Sequence, residues 1–95
     1  MPLDLLPYDA SACLVGRPEE QASLLSDALA TNDPDIVAGA LALIARAQGV
    51  SAMARETGLS REAIYKATRK DGNPRLSTLI AMLKSAGIKL TATAA

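Results

Sequence analysis

Ninety-five residues, about half of them apolar but with no Phe or Trp, fit one small domain whose thin core is built from Leu, Ile, Val, Met and Ala. A lone Cys13 excludes an intramolecular disulfide, and without histidine there is no Cys/His cluster for a metal; both fit a reducing cytoplasm. The formal net charge is zero, and no apolar run reaches the roughly 18–20 residues of a membrane span.

The first residues, MPLDLLPYDASACLVG, are apolar. They carry Asp4 and Asp9, are interrupted by Pro2 and Pro7, and lack a basic start, so they do not read as a signal peptide. Asp9 can cap a short helical turn over DASACL, in which Cys13 reads as a small apolar filler rather than a nucleophile. Pro18-Glu19-Glu20 is a helix start, with acids where the helix dipole favours them. Ala22, Leu25, Ala28 and Leu29 follow at three- and four-residue spacing, which predicts an amphipathic helix over 18–30.

Thr31-Asn32-Asp33-Pro34 stops that helix and starts the next, with Asp33 as its cap. Ile36, Val37, Ala40, Leu41, Ile44 and Ala47 form a broad apolar stripe ending at Gly49. Two short helices are expected next, 52–57 capped by Ser51 and 61–69 capped by Ser60, separated by Gly58-Leu59. Asp71-Gly72-Asn73-Pro74 is a turn. A last helix carries Leu76, Leu79, Ile80 and Leu83 and stops near Gly87. The alternation in Ile88-Lys89-Leu90-Thr91 predicts a short C-terminal β-strand, which must pair with a symmetry mate or another segment.

The 52–69 pair meets the demands of a helix-turn-helix. Its first helix needs a small residue where the second crosses it (Ala54), and the turn needs a residue tolerant of positive φ (Gly58). Apolar residues must lock the pair to a neighbouring helix: Met53, Leu59, Ile64 and Ala67, with Thr57 a less apolar fit. The outer face then carries Arg61, Glu62, Tyr65 and Arg69 as candidates for reading bases. Ser51, Ser60, Lys66, Lys70, Asn73 and Arg75 are candidates for phosphate contact. Asn73 belongs first to its turn, and Glu56 to a solvated surface. A structural helical corner is the competing reading.

Charge is divided along the chain. Residues 1–45 hold seven acids against Arg17, a balance of −6; residues 46–95 hold nine bases against three acids, a balance of +6. Either the basic half faces a polyanion and the acidic half a basic partner, or the halves attract each other.

The segments DP (33–34), ALALIARAQGVS (40–51), ARETGLSREAIYKA (54–67), DGNP (71–74), LSTLIAMLKSAG (76–87) and IKLT (88–91) together resemble the addiction-module antidote proteins, small antitoxins with a Cro/cI-type helix-turn-helix. Thr68 departs from the leucine more usual there. The resemblance implies a small all-α, five-helix domain with a short C-terminal strand, acting as a homodimer on a palindromic operator in double-stranded DNA and repressing its own operon. It also implies a RelE/ParE-like toxin as partner. The organisation expected is an N-terminal segment and acidic helix over 1–32, with Glu19, Glu20 and Asp27 as toxin-docking candidates, and a DNA-binding unit over 33–95. No cofactor, metal, membrane or enzymatic activity is expected, since the usual acid–base and nucleophilic constellations are absent. A stand-alone phage-type regulator and an interaction module that does not bind DNA are the alternatives.

Overall fold

The computed structural model describes residues 13–95, and the short turn expected around Asp9 lies largely outside them. The described residues form five α-helices: α1 (Pro18–Ala30), α2 (Pro34–Gln48), α3 (Val50–Thr57), α4 (Arg61–Thr68) and α5 (Leu76–Ser85). No single helix among them is long and apolar enough to cross a membrane.

Local chemistry sets each boundary. Pro18 opens α1, and Thr31 closes it with a hydroxyl that donates to the Ala28 carbonyl at 2.6 Å. Asn32 turns the chain with φ of 57°. Asp33 Oδ1 then accepts from the Asp35 amide at 2.9 Å, satisfying a free donor of the α2 start. At Gly49, φ is 88° and the chain bends by 95° between α2 and α3. That bend corrects one expectation: α3 begins directly at Val50, so Ser51 lies inside its first turn, makes no cap bond and is exposed.

The core divides into two adjoining clusters. Leu25 and Ala28 of α1 meet Ala40, Leu41 and Ile44 of α2, Leu83 of α5, and Ala86 and Ile88 beyond it. The second cluster joins Ala45, Met53, Ile64, Ala67 and Met82 from four helices. Helices α2 and α5 contribute to both, so they fix the α3–α4 pair relative to the rest. Several apolar residues expected in the stripes stay out: Leu29, Ile36, Leu76 and Ile80 are exposed. Cys13 is also exposed rather than a filler, because its neighbour Leu14 takes the inward position.

The expected C-terminal strand is absent among the described residues. The chain leaves α5 through a Schellman turn. Gly87 has φ of 77°, its amide donates to the Lys84 carbonyl at 3.1 Å, and the Ile88 amide donates to the Leu83 carbonyl at 2.8 Å. Such a turn places an apolar residue against the last helical turn, and Ile88 is accordingly buried with Leu83. The apolar-polar alternation therefore begins with a helix cap rather than a sheet position, and a strand cannot form without an edge to pair with.

The Asp71–Pro74 turn is built on a close approach. Asp71 and Asn73 take φ of 63° and 46°, a region their short polar side chains tolerate. Gly72 does not need positive φ, but a Cβ there would overlap the Lys66 carbonyl oxygen and stand 2.9 Å from that of Arg69. Gly72→Ala is expected to lower stability by about 1–3 kcal/mol through this overlap, measured as a fall in the urea midpoint at unchanged slope.

Candidate nucleic-acid interface

The α3–α4 pair is locked from below and turned from above. Met53 and Ile64 are fully buried, with Ala67 and Met82 beside them. Ala54 and Leu59 pack against the same cluster, so the small residue sits where the helices approach. Gly58 has φ of 76° and its amide donates to the Ala54 carbonyl at 3.0 Å. Thr57 closes the corner: its hydroxyl donates to the Met53 carbonyl at 2.7 Å and accepts from the Leu59 amide at 3.1 Å. Its imperfect apolar fit thus has a use in satisfying the turn's backbone. Ser60 Oγ accepts from the Ala63 amide at 3.0 Å, the expected cap of α4.

With Ile64 and Ala67 turned inward, α4 presents Arg61, Glu62, Tyr65 and Lys66 to solvent. Arg61 and Tyr65 stand one turn apart, and an Arg61 Nη2 group lies 3.4 Å from the Tyr65 hydroxyl, a long contact that leaves both able to engage a partner. The helix expected over 61–69 ends one residue earlier, with Arg69 as its C-cap. The helix ends at Thr68, whose hydroxyl donates to the Ile64 carbonyl at 3.0 Å, and Arg69 is extended, with φ of −85° and ψ of 162°. Arg69 is exposed at the C-cap position, one residue beyond the last helical residue.

The phosphate candidates divide as well. Lys66, Asn73 and Arg75 line one open groove of about 480 Å³ between α4 and the turn before α5. Lys70 is exposed in the preceding bend, while Ser51 and Ser60 are exposed at the starts of α3 and α4. Hydroxyls at helix starts and basic side chains are groups chemically suited to phosphate. The docking candidates Glu19, Glu20 and Asp27 are exposed on α1, and neither this groove nor α4 includes them.

A family model described as a probable addiction module antidote protein matches residues 4–94 of this chain. The chain belongs to that family. An uncharacterised protein of Haemophilus influenzae is 33% identical over 85 residues, covering 90% of this chain and 87% of that protein. No solved structure matches. Membership gives the antidote an antitoxin role and implies a toxin partner.

Two features of this antidote escape a pattern search. Gln21 is fully buried in α1; its Nε2 donates to the Leu14 carbonyl at 2.8 Å, and its Oε1 accepts from Gln48 Nε2 at 3.2 Å. It lies on the inward ray of Leu25 and Ala28, and a polar residue on that ray was the available signal. The Asp71 amide donates to Asp35 Oδ1 at 3.2 Å across 36 positions, for which spacing gives no signal. Ile64→Ala is expected to cost about 2–5 kcal/mol and to release α4 from α3, seen in hydrogen exchange as lost protection over 61–68.

Proposed function

We propose that this antidote is a sequence-specific DNA-binding antitoxin with a Cro/cI-type helix-turn-helix, which represses its own operon and neutralises a RelE/ParE-type toxin. The observation that carries the DNA reading is the α4 surface. Met53, Ile64 and Ala67 consume one side of the helix pair, the left-handed Gly58 sets its angle, and Arg61, Glu62, Tyr65 and Lys66 project from the other. Arg61 is suited to guanine, Glu62 to the cytosine amino group and Tyr65 to a thymine methyl or phosphate. Lys66, Asn73 and Arg75 supply sequence-independent affinity.

A palindromic operator calls for two such helices about 34 Å apart, hence a homodimer. Support for pairing comes from α5 and the tail, where Leu76 (68%), Ile80 (50%) and Leu90 (41%) are exposed. Ile80 and Leu90 flank one apolar groove, and water-exposed area of this kind favours association. The reading assigns the chain no catalytic step, and toxin control operates by binding. It also places the protein in the cytoplasm with its DNA.

Anisotropy titration with duplex DNA from immediately upstream of the gene, against random duplex, tests the DNA reading. The wild type is expected to prefer the upstream duplex and to lose affinity steeply between about 50 and 200 mM salt. Arg61→Ala and Tyr65→Ala should each cost about 1–3 kcal/mol on the operator and much less on random DNA. Lys66→Ala should weaken both equally. A folded protein with no preference would leave the α3–α4 pair as a protein-docking corner. Relief of growth arrest when the chain is co-expressed with candidate toxins identifies the toxin.

A further inference from the structure

A second groove, of about 560 Å³, lies between the α1–α2 corner and the Asp71–Pro74 turn. We propose that it is the docking site for the toxin, filled by a basic segment that sets an apolar side chain on the floor and Arg or Lys against the rim. This rests on the antitoxin reading above.

The floor is apolar: Leu29, Val37 and Leu79 contribute to it, and Leu29 keeps 41% of its surface in water. The rim is acidic. Asp33, Asp35 and Asp71 line it, and no lysine or arginine does. A hydrogen bond from the Asp71 backbone N–H to Asp35 Oδ1 ties the third acidic residue, from a distant part of the chain, to the start of α2. Asn32, Asp71 and Asn73, all lining residues, are held at positive φ, so the rim is set by backbone conformation before any partner arrives. Asp33 and Asp35 each give one oxygen to a backbone amide; among the described residues the Asp71 carboxylate accepts no hydrogen bond.

Charge complementarity selects the occupant. Three carboxylates around an apolar floor repel phosphate, so DNA is excluded, and they attract guanidinium and ammonium groups. Desolvating Leu29 against an inserted apolar side chain adds affinity at the centre while the charges act at the rim, the usual division of an interface. The first-turn acids Glu19 and Glu20 lie ten and nine residues from Leu29, about 14–15 Å along the helix axis, and do not line this groove.

The toxin identified by growth relief, purified and labelled, is titrated with the full chain and its variants near physiological salt. Leu29→Lys is expected to weaken binding about 10- to 100-fold. Asp71→Asn keeps the backbone N–H and tolerates positive φ, and should weaken it about 3- to 10-fold with a shallower salt dependence. Both variants should keep the wild-type melting transition and operator affinity, which separates docking from folding. The double variant Glu19→Gln/Glu20→Gln should change binding by less than about twofold. Wild-type affinity in Leu29→Lys and Asp71→Asn would overturn the groove, as would an equal or larger loss in the Glu19/Glu20 variant. Loss of self-association with toxin binding intact would give the groove to a second copy and overturn the proposal. A wild type that binds no toxin would remove the antitoxin reading itself, an outcome distinct from either.

Discussion

Met53 and Ile64 are wholly withdrawn from water, and the rest of the α3–α4 surface depends on that contact. Burying two such side chains is worth about 1.5–3 kcal/mol each, a large share of what a small all-helical domain has available. Helices of only eight residues are not stable alone in water. Helices α3 and α4 therefore exist because each supplies one face to a cluster that also includes Ala45 and Met82. Once Ile64 and Ala67 face inward, the period of the helix leaves Arg61, Glu62, Tyr65 and Lys66 outside. The exposed chemistry is a geometric consequence of the buried chemistry.

A core with so many alanines gives little area per residue, and side-chain hydroxyls and carboxylates compensate at the helix ends. Thr31, Asp33, Thr57, Ser60 and Thr68 each bond a backbone group at a helix terminus or corner. The two N-caps among them, Asp33 and Ser60, are worth about 1 kcal/mol each, comparable to a buried methylene or two. These terminal bonds also fix angles. Asp33 sets the entry to α2 directly after Asn32 turns the chain, and Thr57 with Gly58 sets the crossing of α3 and α4. Gln21 extends the same principle inward, joining the segment before α1 to the end of α2 through one buried amide.

Where a residue's preference is local, the sequence announces the fold. Pro18, Asp33-Pro34, Gly49, Gly58 and Ser60 mark boundaries that the structure keeps within a residue or so, because proline, capping and left-handed glycine act within one turn. Inward positions were legible for Met53, Ile64 and Ala67, since a strict helical period admits only one buried side in so short a segment. The failures share the opposite character. Ser51 lost its cap because Gly49 ended one helix and began another, leaving no room for a spacer. Ile88 opens an apolar-polar alternation that points to a strand, whereas it packs on Leu83 as part of a helix cap, and so short an alternation does not distinguish the two. The groove beside Asp35 and Asp71 depends on a contact spanning 36 residues, which no local pattern encodes.

The division of charge acquires a physical form in the fold. Gly72, Asn73 and Pro74 line both the groove holding Lys66 and Arg75 and the groove holding Asp33 and Asp35. One turn is thus the wall between a basic surface and an acidic one. Its left-handed residues and its contact with the α4 carbonyls leave little freedom to move independently of α4. Opposite charge on the two sides of one turn favours a polyanion on one side and a polycation on the other. Any energetic coupling between the two surfaces has this turn as its shortest covalent path.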